Sequence, residues 1–474
     1  MPANVVIIGG GISGLSSAYY LAKGGAASTI VESRPRLGGV IQTEQVEGCT
    51  LEAGPDSFLS IKPAALDLIR DLGLSGQVIG SNDHLRVTFV RKGGRLLPLP
   101  DGLMMMVPTK ILPLLTTRLL SWSTKLRMGL ELARAPKPKD GDESVAEFIE
   151  EHYGREAVDY LAEPLLSGIY GGDPGALSVT SVLPRFVDLA NRYGSLTRGV
   201  LAERAAAARH RAGAAPAPLF RTLRGGLGQL VDAVAAALRG KAEVRQARAQ
   251  TVERSGSGFR IKLDGGWLET ERLVVACEAH SAATLLGSLD ARLAELLGTV
   301  PYSSSMTVAL GFDAAGFAQP PVGFGFLVPR KERRRLVACT WVGTKFSHRV
   351  PDGTIVARCF LGGMEDAGVL EQPDGDIIAA VTGELREIAG ITARPRFARV
   401  SRWPRSMAQY TVGHPQRRAE IEARAAAIPG LYLAGNAYTG IGIPDCIRMG
   451  KAAAEAAVSY QRSAPPTRVD AAPG

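Results

Sequence analysis

The stretch that decides the fold is Asn4-Val-Val-Ile-Ile-Gly-Gly-Gly-Ile-Ser-Gly-Leu-Ser-Ser-Ala-Tyr-Tyr-Leu-Ala-Lys23, followed after a Gly-Gly-Ala-Ala turn by Ser28-Thr-Ile-Val-Glu32. Asn4 to Ile8 is a short apolar run with strand character. From Ile12 to Lys23 the apolar Leu15, Ala18, Tyr19 and Ala22 recur at helical spacing. Ser28 to Glu32 reads as a second strand, made parallel to the first by a right-handed crossover. Between strand and helix, Gly9-Gly10-Gly11-Ile12-Ser13-Gly14 fits G-x-G-x-x-G in the context that gives this motif meaning. Gly9 permits a tight turn, Gly11 lets the backbone approach a pyrophosphate, and Gly14 allows close packing of helix on strand. The helix N-terminus offers unpaired N–H groups and a positive dipole end to phosphates. Glu32 ends the second strand, where a carboxylate accepts hydrogen bonds from ribose hydroxyls. A dinucleotide site is expected, and these residues alone do not separate NAD from FAD.

The chain has 474 residues, enough for two or three domains. With 46% hydrophobic and 21% charged residues, it has the composition of a globular protein that buries a sizeable core. A net charge of +9 favours anionic partners, namely polycarboxylates, anionic lipid or nucleic acid. Nucleic acid ranks last and is not expected, because aromatics are only 6% and no base-stacking motif or regular basic stripe is present. Cys49, Cys277, Cys339, Cys359 and Cys446 are scattered, odd in number and never spaced C-x-x-C. That pattern points to a reducing compartment, the cytoplasm, and away from a disulfide framework or a zinc site; no metal is expected. No signal peptide is expected before the first strand. No run of ~18 apolar residues exists to span a membrane.

The segment after Glu32 resolves the cofactor. Glu32-Ser-Arg-Pro-Arg36-Leu-Gly38-Gly39 reads E-x-x-x-R-x-G-G. It resembles the amine-oxidase and protoporphyrinogen-oxidase superfamily of FAD enzymes. The resemblance implies that Arg36 meets the pyrophosphate and that Gly38, Gly39 and Val40 pass beneath the flavin side of FAD. At the other end, Leu431-Tyr-Leu-Ala-Gly435-Asn436 is a strand entering a glycine. Gly440-Ile-Gly-Ile-Pro-Asp445 then leads into a helix expected over 447–460, with Asp445 as its cap. The dipole of that helix, aimed at the flavin pyrimidine ring, would favour the charge of the reduced ring.

Further stretches carry a closer resemblance. They are Glu52-Ala-Gly-Pro-Asp-Ser-Phe58, Glu163-Pro-Leu-Leu-Ser-Gly-Ile-Tyr-Gly-Gly172, Gly323-Phe-Gly-Phe-Leu-Val-Pro329, Arg402-Trp-Pro404, Gln409-Tyr410 and Gly413-His414. With them the chain resembles, over nearly its whole length, the oxygen-dependent protoporphyrinogen and coproporphyrinogen III oxidases. The resemblance implies FAD contacts at Gly54, Pro55, Asp56 and Ser57, at Val244 against the adenine, at Gly435 and Asn436, and at Ile441, Gly442 and Ile443. It implies a substrate site in which Arg86 pairs a propionate and Gly168, Gly325, Leu327 and Phe360 sandwich the tetrapyrrole. A flexible apolar macrocycle with carboxylate arms needs such apolar walls and such a guanidinium. Phe324 and Phe326 are read as core. The implied reaction removes six electrons in three flavin turnovers, with dioxygen as acceptor and hydrogen peroxide as product. No catalytic acid or base is assigned, and His348 and His414 are read as structural.

Ala338-Cys-Thr-Trp341 and Gly442-Ile-Pro-Asp-Cys446 resemble the Bacillus-type, coproporphyrin-forming group. Its substrate carries more propionates, so a more basic pocket is expected. The candidates are Arg91, Lys92, Arg95, Arg330, Lys331, Arg333, Arg334, Arg335, Lys345 and Arg349, with Arg333 to Arg335 read foremost as a solvated run. Competing readings are an amine oxidase, a carotenoid-desaturase-like oxidoreductase and a non-catalytic GDP-dissociation-inhibitor-like protein. A second copy of the chain or another haem-pathway enzyme is a candidate protein partner.

The expected fold class is α/β: a discontinuous Rossmann-like FAD/NAD(P)-binding domain, a substrate domain with a mixed or antiparallel sheet, and a helical insertion. FAD-binding segments are expected at 1–85, 215–290 and 401–461. Substrate-domain segments are expected at 86–101 and 291–400, the helical insertion at 102–214 and a disordered tail at 462–474. Strands are expected at 260–263 and 268–276 around a Gly265-Gly266 turn, and a helix at 376–390. Residues 102–122 are apolar but broken by Pro108, Lys110, Pro113 and Arg118. They suit a membrane interface on the inner face of the cell membrane, a buried subdomain or a substrate channel.

Overall fold

The computed structural model describes residues 5–137, 141–210 and 217–460. Asn4, the linker following the Ala/Arg-rich helix Leu196–His210, and the tail at 462–474 lie outside the described residues. Val5–Ile8, Ile12–Lys23 and Ser28–Glu32 form the strand, helix and strand read from the sequence. Val5 to Ile8 are all buried, as an apolar parallel strand covered on both faces must be. Five parallel strands lie in the order Ala242–Gln246, Ser28–Glu32, Val5–Ile8, Arg272–Val275, Leu431–Leu433. The nucleotide-type sheet is therefore gathered from widely separated parts of the chain.

Two boundaries differ from the sequence reading. The run Leu268 to Ala276 is not one strand but two. Gly266–Thr270 closes an antiparallel meander with Ala249–Ser255 and Gly258–Leu263, while Arg272–Val275 enters the parallel sheet. Thr270 makes the break: its hydroxyl donates to Arg272 O at 2.9 Å and accepts from Arg272 N at 3.3 Å. Such a local side-chain to backbone closure competes with a continuing ladder. The last helix spans Ile443–Ser459, starting earlier than expected, and its N-cap is Gly442, not Asp445. Pro444 explains the start, since proline is favoured in the first turn of a helix, where its missing N–H costs nothing. Asp445 instead lies in the first turn and accepts from Lys62 Nζ at 2.6 Å.

The second sheet has seven strands in the order Phe397–Ala408, Tyr302–Asp313, Thr354–Gly363, Ala338–Trp341, Gly325–Leu327, Thr88–Lys92, Arg95–Pro98. Only Gly325–Leu327 and Thr88–Lys92 pair in parallel. Cross-strand neighbours share a face. Leu327, Ala338, Phe360 and Thr307 thus form one row, with Thr340 and Arg358 beside it on the same face. The other face carries Phe326, Cys339, Cys359 and Val308, packed with Ile377, Val381 and Leu385 of the helix Asp374–Ala389. Phe326, which the sequence reading placed in the core, is there. The first face turns to the nucleotide domain: Thr307 Oγ1 and Trp403 Nε1 both donate to Ala53 O, at 2.6 and 2.8 Å.

The third core is helical. Val145–Tyr153, Glu163–Tyr170, Pro184–Tyr193 and neighbouring turns bury Phe148, Tyr153, Leu161, Leu166 and Leu189. Ser144 caps the first of these with a reciprocal Ser144–Glu147 capping box. The stretch 102–122 is a short hairpin, Leu103–Met104 against Val107–Pro108, then helix Ile111–Thr116 and the start of helix Trp122–Glu131. Val107, Leu119 and Leu120 are buried, whereas Ile111, Leu112, Trp122, Leu126 and Leu130 are largely exposed.

Candidate active site

The helices Ile12–Lys23, at Gly11, and Ile443–Ser459, at Gly442, begin without a side-chain cap. They converge, because a Cβ on Gly450 would lie 2.3 Å from Ser13 O, and Ser17 Oγ donates to Gly450 O at 3.0 Å. Uncapped N-termini leave N–H donors for a ligand. Glycines around them divide into two kinds. At Gly14 a Cβ would lie 1.9 Å from Gly9 O, so the turn folds tightly against its own helix. At Gly11 no atom lies within 4 Å of where a Cβ would be. That open place, beside donor groups, is a cradle that fits a pyrophosphate.

Gly38 N donates to Gly10 O at 2.8 Å, which lays Gly38 and Gly39 directly on the glycine turn. Glu32 holds that turn: Oε2 accepts Gly10 N at 2.7 Å and Oε1 accepts Arg34 N at 2.8 Å. Each carboxylate oxygen retains accepting capacity for a ribose. Arg36 is half-buried and spends its donors on Leu37 O, Gly39 O and Ile41 O, with no carboxylate partner among the described residues. Its charge stays within the glycine loop, met only through space by Glu32. Val244, exposed on the edge strand beside Ser28–Glu32, is an apolar surface near Glu32.

The Gly54–Ser57 loop follows. A Cβ on Gly54 would lie 1.8 Å from Val40 O, so the loop rests on the Gly38–Val40 turn. Asp56 is held by Lys345 Nζ at 3.0 and 2.9 Å, by Ser57 Oγ at 2.6 Å and by Arg358 Nη1 at 3.6 Å. Burial alone would raise its pKa, yet the two cations hold it well below the usual carboxylate range. Arg358 also donates to Gly54 O and lies 4.7 Å over the Phe360 ring. The segment 435–443 leads into the last helix. Lys62 bridges to Asp445, and Tyr410 OH donates to Asn436 O and accepts from Gly440 N, each at 2.8 Å.

Of the expected substrate residues, Leu327 and Phe360 share one row of the sheet, separated by Ala338. Gly325 lies on the same face, buried against Cys339 O. A Cβ on Gly168 would lie 3.4 Å from Leu327 Cδ2, which places Gly168 and Leu327 side by side rather than a ring's thickness apart. Arg86 is exposed, and among the described residues its side chain makes no hydrogen bond or ion pair. The next residue is anchored beside the row, as Val87 O accepts from Phe324 N at 2.8 Å.

The other expected cations are mostly committed. Arg91 and Arg334 pair with Glu387, Lys92 with Glu156, Arg330 with Glu365, Lys331 with Asp159, Arg333 with Glu163, Lys345 with Asp56 and Arg349 with Glu52. Arg335 donates to the Gln372 amide. Of Arg333 to Arg335, Arg334 is solvated, its side chain 69% exposed, whereas Arg333 and Arg335 are half-buried; of the other candidates only Arg95 is exposed without such a partner among the described residues. Arg358 and Lys62 were not singled out from the sequence. Arg358 carried a signal, since it stands two residues from Phe360 in an alternating strand and so shares its face.

His414 is buried and stacked on Tyr410 at 4.1 Å, and its Nε2 meets Tyr438 O at 3.1 Å. Burial, with Arg417 and Arg418 nearby, lowers its pKa to about 4 against the partial opposition of the Tyr438 bond. The folded chain therefore binds fewer protons than the unfolded chain between these values. The expected result is stability that is full above about pH 6.5 and falls by about 3 kcal/mol as pH drops toward about 4. A His414→Gln variant should lose that part of the pH dependence in denaturant titrations.

Among the described residues no group of three His, Cys, Asp or Glu is placed to hold a metal ion. The family model described as "Flavin containing amine oxidoreductase" matches residues 12–458, and the chain belongs to that family. It is a flavoprotein oxidoreductase, and the dinucleotide cradle makes its flavin FAD. The chain is 37% identical to the coproporphyrinogen III oxidase of Bacillus subtilis (strain 168), over 96% of this chain and 98% of that protein. It is 29% identical to the chloroplastic protoporphyrinogen oxidase 1 of Arabidopsis thaliana, over 93% and 85% of the two chains. A crystal structure from Exiguobacterium sp. 255-15, named for protoporphyrinogen oxidase, superposes with a TM-score of 0.86 at 31% identity, covering 97% of this chain and all of that one.

Proposed function

We propose that the chain is an oxygen-dependent porphyrinogen oxidase of haem biosynthesis that converts coproporphyrinogen III to coproporphyrin III. The observation that carries this reading is the near-complete match to a protein named for that reaction. The geometry supports it: an apolar row, Leu327–Ala338–Phe360, runs beside the Gly54–Ser57 loop, and an unpaired guanidinium stands at its edge. An apolar macrocycle with acid arms suits such a wall, whereas the cationic substrate of an amine oxidase would be repelled by Arg86.

Bound FAD would accept two electrons at a time and return them to dioxygen as hydrogen peroxide, three cycles removing the six electrons. Gly9 to Gly14, Gly38, Gly39 and Val40 would hold the pyrophosphate with Arg36, and Glu32 the ribose. Gly54 to Ser57 and Gly435 to Ile443 would close on the flavin. The protein's own work is to orient the macrocycle and exclude water. Anaerobic addition of reduced coproporphyrinogen III and, separately, protoporphyrinogen IX, followed by oxygen, tests the reading through porphyrin fluorescence. Faster turnover of protoporphyrinogen IX would reverse the substrate assignment. Arg86→Ala should raise KM about tenfold or more, the order of one lost charge-assisted pair, with flavin content unchanged. A variant that instead loses its flavin and keeps its KM would remove Arg86 from the substrate site.

The exposed apolar residues support a location on the cytoplasmic face of the membrane. Trp122, Leu126 and Leu130 recur every four residues on one helix face, beside Ile111 and Leu112 and near the exposed Arg118 and Arg127. Among the described residues no helix is long and apolar enough to cross a membrane. Such a face lies in an interface plane. The chain should sediment with anionic vesicles at low salt, and Trp122→Ser/Leu126→Ser should remain in the supernatant. Equal sedimentation of both proteins would refute this placement.

A further inference from the structure

Beneath the candidate flavin loop lies a buried group of charges that does not sum to zero. Glu52 and Arg349 cancel one another at 2.8 Å. Asp56 faces two cations, Lys345 and Arg358, whose side chains are only 12% and 6% exposed. One carboxylate against two cations leaves a surplus of one positive charge. No other carboxylate among the described residues lies within 4.0 Å of either cation. The Nε of Arg358 is buried without a hydrogen-bond partner. A buried surplus charge is costly unless an opposite charge arrives to meet it.

We propose that Asp56, Lys345 and Arg358 form a charge reservoir that stabilises the negative charge gained by the isoalloxazine ring on reduction. Two electrons and one proton taken from a reductant leave the ring with one negative charge. The proposal rests on the reading of Gly54–Ser57 as the flavin loop, and adds to it a source of potential control separate from the helix at Ile443.

The geometry favours the ring over a substrate carboxylate. An ammonium has three donors, and those of Lys345 go to both oxygens of Asp56 and to Ser57 Oγ at 3.3 Å. One nitrogen of Arg358 is spent on Gly54 O, and its free Nε is out of reach of solvent. A propionate needs open donors at a rim, which this group lacks. A delocalised charge on a ring against the loop needs only the field, which low dielectric strengthens. Lys345 and Arg358 are positioning residues in this sense, since neither has to touch the reacting atoms.

The test is the midpoint potential of the bound flavin in the holoenzyme, measured by anaerobic reductive titration against a reference dye. Lys345→Met should lower the midpoint, disfavouring reduction about tenfold, or about 30 mV for a two-electron couple. Asp56→Asn, which leaves both cations without a carboxylate, should raise it. Ser347→Ala, two residues from Lys345, removes a hydrogen bond from Asn82 but no charge and should leave it in place. A purely structural role would not move two variants in opposite senses, and failure to do so overturns the proposal. Should Lys345→Met not fold, Asp56→Asn alone must still raise the midpoint. An unchanged potential with a raised KM for coproporphyrinogen III would assign the surplus to a substrate carboxylate, also overturning it. The underlying placement fails separately if Gly54→Ala retains its full flavin content.

Discussion

Gly11→Val will fold as stably as the parent chain, within about 1 kcal/mol for an altered N-cap, and will carry less than about one-tenth of its flavin. The backbone at Gly11 is extended, with φ −69° and ψ 179°, so a side chain is not strained there. No protein atom lies within 4 Å of the added Cβ. On the function proposed above, the group a valine would meet is the pyrophosphate at the open end of the helix Ile12–Lys23. Flavin absorbance per protein, together with the denaturant midpoint of the apoprotein, separates the two effects. Gly54→Ala is the contrasting case. Its Cβ would meet Val40 O at 1.8 Å, so both stability and flavin should fall. A yellow Gly11→Val protein would remove the pyrophosphate from this cradle.

The largest stability loss is expected from Arg349→Met. Arg349 and Glu52 are each 2% exposed in their side chains. Arg349 also donates to Thr222 Oγ1 at 2.6 Å and Leu223 O at 3.1 Å, while Glu52 accepts Leu227 N and Thr43 Oγ1, both at 2.7 Å. Removing the guanidinium strands a carboxylate in the interior, which costs about 3–5 kcal/mol. The partner variant Glu52→Leu should cost a similar amount, and the double variant less than the sum. Additive losses in the denaturant midpoints would mean that the pair is not coupled. Arg349 is thus a clamp between three chain segments and not, as the sequence reading allowed, a receptor for a propionate.

Much of the nucleotide domain was legible because its signals are local. Glycine turn, apolar strand, helix spacing and terminal acid lie within Val5 to Glu32, and the structure places both strands and the helix there. Boundaries failed where a neighbour in space or a single side chain intervened. Thr270 split a run whose composition reads as continuous, and Pro444 moved the start of the last helix away from Asp445. The row proposed as the substrate wall is one that the sequence alone does not assemble. Alternation puts Leu327 and Phe360 on one face only once the register with Ala338 is known, and register is a property of pairing. The candidate pocket cations show the same limit. A sequence counts cations, but only the fold shows that Arg91, Lys92, Lys331, Arg333 and Arg334 already face acids.

The order of strands in the parallel sheet has a consequence for biogenesis. Val5–Ile8 leaves the ribosome well before its neighbour Arg272–Val275 and the outer strand Leu431–Leu433. The helix Ile443–Ser459, whose open end belongs to the proposed flavin site, emerges later still. During synthesis Ser28–Glu32 can pair one edge of the central strand early, but the edge that Arg272–Val275 covers waits unpaired, a state exposed to aggregation and suited to chaperone capture. The proposed site would accordingly take up flavin late, and cellular supply of FAD should govern how much of the newly made chain matures rather than how fast it is translated.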